Sequence, residues 1–254
     1  MTRETAAQTL LLAIDAGNTR VKWGLRAGAR WLQSGSVPTT QAARLCRIFA
    51  ALPRPQAVIV SNVAGRRLRA VLARALPAAP RAHWIRSAQS QCGVRSAYAR
   101  PAQLGCDRWA ALIGARSQHR GAAVVVNAGT ALTADALTAD GVFAGGVIVP
   151  GVELMRAVLA RDTAGLRRRR GEYSFFPDNT GDAIVSGAIN ALSGAVERIA
   201  RHLARADGRT PVCILSGGAA ALIAPHLNLR VKVVDNLVLE GLVVMSRATR
   251  TREP

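Results

Sequence analysis

Asp15-Ala16-Gly17-Asn18-Thr19-Arg20-Val21-Lys22 gathers a carboxylate, an amide, a hydroxyl, a guanidinium and an amine around one glycine. Carboxylate and amide oxygens suit a hard divalent cation, and the N–H and O–H groups suit phosphate oxygens. Gly17 lets the backbone turn tightly and approach a ligand. The stretch reads as a nucleotide-phosphate turn with Asp15 beside a magnesium ion, although the same residue types also make an ordinary hairpin turn. A second copy, Asn127-Ala128-Gly129-Thr130, repeats the pattern of polar residue, Ala, Gly, Thr. Gly105-Cys106-Asp107-Arg108 offers different chemistry: a carboxylate to accept a proton beside a guanidinium to hold an anion. Asp107 could equally be a helix N-cap.

The elements that must position these residues follow from the hydrophobic pattern. Leu10 to Ile14 is an apolar run into Asp15, and the chain leaves the turn as an alternating strand. Ala122 to Val126 and Ala131 to Leu137 do the same around the second turn, and each pair continues into a third strand, Arg30 to Ser34 and Val142 to Ile148. Helices are expected over 41–52, 66–76, 183–206 and 237–248, strands over 57–60, 83–85 and 212–215, and a loop over 61–65. Residues 87–101 read as irregular, Trp109, Leu112 and Ile113 mark a helix beginning near Gly105, and Pro150 is expected in the first turn of another. Ser216-Gly217-Gly218-Ala219 makes a glycine turn between strand and helix. The 163–178 stretch is Arg-rich, aromatic and aperiodic, a surface loop.

Two facing hairpins plus a glycine-rich strand-to-helix turn describe an α/β fold of two duplicated ribonuclease-H-like lobes. This is the actin-like, sugar-kinase-like ATPase architecture, with mixed five-stranded sheets flanked by helices. The expected lobes are 1–118 and 119–254, with ATP and substrate in the cleft between them.

Half of the 254 residues are apolar, enough for a sizeable core. No apolar run approaches the ~20 residues of a membrane span. The polar segment Met1 to Gln8 lacks a secretory h-region, so a cytoplasmic protein without a membrane partner is expected. The formal charge of +19 comes almost wholly from arginine, since only Lys22 and Lys232 are lysine. The arginines are spread along the chain without interleaved aromatic platforms, and only Arg167 to Arg170 form a block. Nucleic-acid binding is therefore not expected as the main role, and the positive field would speed capture of an anionic substrate. The four cysteines are far apart, which disfavours zinc or a disulfide framework.

With Asp15-Ala16-Gly17-Asn18-Thr19, Gly105-Cys106-Asp107-Arg108 and Asn127-Ala128-Gly129-Thr130 in this order and spacing, the chain resembles type III pantothenate kinases. Pro150-Gly151, Asp162-Thr163-Ala164 and Asn179-Thr180 with Ala183-Ile184 extend the resemblance over nearly the whole chain. It implies ATP-dependent phosphorylation of pantothenate to 4′-phosphopantothenate, the first step towards coenzyme A, by a homodimer. It implies that Asp15 to Lys22 (Asp15, Ala16, Gly17, Asn18, Thr19, Arg20, Val21 and Lys22) hold the ATP phosphates, with Mg2+ near Asp15. Thr130 would bind ATP from the second hairpin. Tyr98, Gly105, Cys106, Asp107, Arg108 and Thr180 would hold pantothenate, with Asp107 accepting its proton. Two positions depart from the family pattern. Cys106 stands where Ala is usual. Asn127 stands where the family usually has an Asp linked to a bound potassium or ammonium ion, so no strong K+ or NH4+ site is expected there. Two other readings are another small-molecule kinase of the same fold and a basic nucleic-acid-binding regulator with a vestigial nucleotide site.

Overall fold

The two hairpins expected from sequence lie in two sheets built to one plan. The computed structural model describes residues 9–78, 80–163, 165–166 and 170–250. The polar N-terminal segment, Arg167 to Arg169 of the arginine block and the last four residues of the basic tail lie outside the described residues. The chain forms two units. The first comprises the described residues of Met1–Cys92, Arg100–Gly114 and Val238–Pro254, the second Gly93–Ala99 and Ala115–Leu237. Two segments depart from a single cut after residue 118. Residues 93–99 join the second unit because they carry a strand of its sheet, and the C-terminal helix (Leu237–Arg250) joins the first from Val238 onward. There Glu240 accepts hydrogen bonds from Arg26 Nη1 at 2.8 Å and Trp31 Nε1 at 2.7 Å.

In the first unit β1 (Leu10–Ala16), β2 (Arg20–Ala27) and β3 (Arg30–Pro38) form an antiparallel meander. Beyond a short helix α1 (Leu45–Ala50), β4 (Ala57–Asn62) runs parallel to β1. Helix α2 (Gly65–Ala75) leads to β5 (His83–Trp84), parallel to β4, and gives the sheet order β3-β2-β1-β4-β5. The core joins Leu12, Ile14, Val58 and Val60 of the sheet to Leu45, Phe49, Leu68 and Leu72 of the helices. Trp23 meets Phe49 edge-on at 5.9 Å.

A two-residue strand β6 (Ser90–Gln91) precedes β7 (Val94–Ser96), and α3 (Cys106–Gln118) follows. The second unit repeats the plan with β8 (Ala123–Ala128), β9 (Ala131–Leu137), β10 (Val142–Pro150), helices α4 (Val152–Asp162) and α5 (Thr180–Asp207), β11 (Val212–Ser216), a short α6 (Ala220–Ile223) and β12 (Val231–Val233). Among the strands that belong to this unit the order is β12-β11-β8-β9-β10-β7, with β8, β11 and β12 parallel. Reading β10-β9-β8-β11-β12 against β3-β2-β1-β4-β5 matches strand for strand in order and direction. Val124, Val126, Leu215, Ile189, Leu192 and Val196 carry its core. Asn179 caps α5 by accepting the Asp182 N–H at 3.0 Å, and Gly208, at φ 70°, ends it.

Four local expectations change. The 41–52 helix is split into a 3-10 turn (Thr39–Arg44) and α1, with Gln41 outside helical geometry. Ser61 and Asn62 finish β4 instead of opening a loop, because they pair with Asp15 and Ala16. The stretch read as irregular contains β6 and β7, and β7 extends the second sheet past five strands by pairing with Val142 and Phe143. Pro150 closes β10 and Gly151 precedes α4, so the proline is outside the helix.

Candidate active site

In the first unit, β1 ends on the residues expected to handle phosphate. Asp15 lies opposite Lys22 across the hairpin, and Gly17 N–H donates to Arg20 O at 3.1 Å, leaving Asn18 and Thr19 exposed at the tip. Thr39, a residue that sequence reasoning passed over, braces the turn: its Oγ1 donates to Gly17 O at 2.8 Å and its N–H to Thr19 O at 2.9 Å. Arg20 turns along β3, its Nε donating to Ser36 Oγ at 3.1 Å and its Nη2 at 2.6 Å.

The structure brings the start of α3 to this turn. Helix α3 begins at Cys106, so Asp107 sits one residue inside its first turn, past the N-cap position. Its Oδ1 accepts the Arg108 N–H at 2.8 Å and folds back over Gly105, where a Cβ would lie 2.6 Å from that oxygen. Only glycine leaves room for this placement. Ser87 Oγ donates to Leu104 O at 2.8 Å and steadies the approach to the helix, and Arg108 is buried.

Asp15 and Asp107 are within electrostatic reach. The Asp15 carboxyl is pushed up to about 7, first by burial and then by the charge of Asp107, with Lys22 pulling the other way. Burial also raises Asp107, opposed by the backbone N–H and guanidinium of Arg108. The site suits a divalent cation, which would favour the ionised form of Asp15. Among the described residues no group of three or more His, Cys, Asp or Glu side chains is placed to hold a metal. A divalent cation that uses one or two carboxylates and takes its other ligands from phosphate and water needs no such group.

In the second unit, Gly129 N–H donates to Ala131 O at 3.1 Å, so this turn is one residue tighter than the first, and Thr130 alone occupies its tip. Two glycines close on it. Gly151 N–H donates to Thr130 O at 2.8 Å, and a Cβ at Gly151 would meet Gly129 O at 2.3 Å. Gly217, at φ 108°, would place a Cβ 2.3 Å from Ala128 O. The sequence marked Gly217 as a turn residue and placed Gly151 at the opening of a helix, but it did not show the approach of either to this hairpin. Asn127 lies in the sheet between Thr133 and Ser216. Thr180 opens α5 and lines an apolar cavity of about 550 Å³ with Pro150, Met155, Leu159 and Ile184. Tyr98 follows β7 with its ring 5.0 Å from Phe143.

A family model described as type III pantothenate kinase matches residues 11–202. A type III pantothenate kinase from Nitrosospira multiformis is 48% identical over 243 residues, covering 94% of this chain and 92% of that protein. Among solved structures, a Baf family protein from Campylobacter jejuni superposes with TM-score 0.63 at 17% identity, covering 94% of this chain and 99% of its own. A glucokinase from an Antarctic psychrotroph superposes with TM-score 0.51 at 12% identity over 94% of this chain and 99% of its own, which places the fold among sugar-kinase-like ATPases.

Proposed function

We propose a division of labour for a chain that belongs to the type III pantothenate kinase family: it is an ATP-using enzyme that phosphorylates pantothenate for coenzyme A synthesis, and Asp107 accepts the proton of the substrate hydroxyl. The observation that carries the role of Asp107 is its placement over Gly105, within electrostatic reach of Asp15.

In the first unit Asp15 would hold Mg2+, and Asn18, Thr19 and Lys22 would contact phosphate. In the second unit Thr130 would contact ATP. Mg2+, when bound, neutralises charge on the phosphates. The protein's own part is positioning, since phosphoryl transfer through a loose transition state needs little covalent chemistry from side chains. Asp107, whose carboxyl is raised by burial and drawn back towards the ionised form by the neighbouring Arg108, would orient the hydroxyl and take its proton. Arg108 would face the anionic end of pantothenate, and Tyr98 and Thr180 are the second unit's proposed pantothenate contacts. Asn127 offers a carbonyl oxygen without a charge, which supports a weak K+ or NH4+ site at most.

A cytoplasmic homodimer fits this reading. Leu154, Val158 and Leu159 leave an exposed apolar face on α4, and no helix among the described residues is long and apolar enough to cross a membrane. The deciding experiment is a coupled assay of ADP release with pantothenate, run beside sugars and short hydroxy acids. Release with pantothenate alone is expected, and turnover only with another acceptor would overturn the substrate.

A further inference from the structure

Ser61 has no role in the scheme above, yet it is fully buried at the end of β4 with its hydroxyl 3.4 Å from Cys106 Sγ. Its position is set by two relationships. Along the sheet it pairs in register with Asp15. Through its side chain it reaches the first residue of α3, immediately before Asp107. The backbone of Asn62 also hydrogen-bonds the Cys106 sulfur, and Val63 N–H donates to Ala16 O at 3.1 Å. The end of β4 is thus stitched to β1 by backbone and to α3 by the Ser61–Cys106 pair. The Val63 methyl Cγ1 lies 3.8 Å from where a Gly105 Cβ would be, so the same segment floors the Gly105 turn.

We infer that Ser61 is a positioning residue, which through Cys106 sets the placement of Asp107 relative to Asp15. Either group can donate in this contact, and thiols are weak partners, so its effect is on aim rather than on folding. A rigid neighbour of this kind matters because small displacements of a reacting group reduce rate more than they reduce binding. Cys106 is what gives the Ser61 hydroxyl this partner. The inference rests on Asp107 being the proton acceptor, which Asp107→Asn tests separately.

The test is a double-mutant cycle with Ser61→Ala, Cys106→Ala and the pair, reading kcat and KM for ATP and pantothenate at saturating Mg2+. Each single variant is expected to lower kcat about threefold to tenfold with KM for ATP nearly unchanged, and the double variant should be no slower than the worse single. Cys106→Ser, which restores a hydrogen-bonding partner, should recover most of the rate lost in Cys106→Ala. Additive losses, a rise in KM for ATP without a fall in kcat, or no change in either single variant would each overturn the inference. If Ser61→Ala does not fold, the comparison of Cys106→Ala with Cys106→Ser decides: equal rates in the two refute positioning through the hydrogen bond.

Discussion

Asp15 at the end of β1 has its proton affinity raised first by burial and then by the charge of Asp107, carried on the first turn of α3. Two carboxylates far apart in sequence therefore share one electrostatic environment, with Lys22 opposing and Arg108 holding Asp107 towards its ionised form. This is an arrangement suited to a cation at one acid and proton acceptance at the other.

Asp107→Asn removes the proposed proton acceptor while keeping shape. General-base catalysis contributes roughly 10²–10⁴-fold, so kcat should fall by about 100-fold or more while KM for ATP stays within about threefold. Steady-state kinetics with both substrates checks this. Turnover near wild type would mean that Asp107 serves only the helix dipole in the first turn of α3.

Asp15 makes stability and cation binding depend on pH. Its folded carboxyl titrates at about 7 against an ordinary 3.8. The folded state therefore binds this proton more tightly than the unfolded chain. The contribution is fully present below the ordinary value and is lost as pH rises through about 7. Thermal unfolding without Mg2+ or ATP should show a component that falls between pH 4 and 7 and that Asp15→Asn abolishes. For the same reason Mg2+ must displace a proton below pH 7, so its apparent affinity should weaken by up to about tenfold per pH unit there and level off above. Calorimetry in buffers of different ionisation enthalpy at pH 6 and pH 8 should show proton release only at the lower pH.

Asn127→Asp should strengthen activation by potassium or ammonium, because it adds a negative charge at the end of β8 without changing size. Activity titrated with KCl, NH4Cl and NaCl reads the effect. An unchanged salt response would remove this position from any cation site.

Gly151→Ala should loosen the Gly129–Thr130 turn proposed to contact ATP. Its Cβ would lie 2.3 Å from Gly129 O, so either the Thr130 tip or the start of α4 must move. KM for ATP should rise by about tenfold, and the loss in melting temperature should correspond to about 1–3 kcal/mol. A variant with wild-type KM would show that the Gly151–Thr130 contact does not shape the ATP turn.

Local signals in the chain are enough to specify the turn chemistry and the repeated architecture. Apolar runs of strand length ending in Asp15 or Asn127, each followed by Ala and Gly, specify a hairpin because hydrophobic period and turn residues are local signals. The helices α2, α5 and the C-terminal helix were legible for the same reason, and so was the candidacy of Asp107. What the tertiary structure alone decided depends on partners distant in the chain. Val94 to Ser96 is too short to announce a strand, and it becomes one only because β10 offers an edge. Ser61 reads as loop until pairing with Asp15 draws it into β4 and buries it against Cys106. The closeness of Asp107 to Asp15, and the need for glycine at 151 and 217, come from backbone approaches between separate elements, which no local pattern encodes.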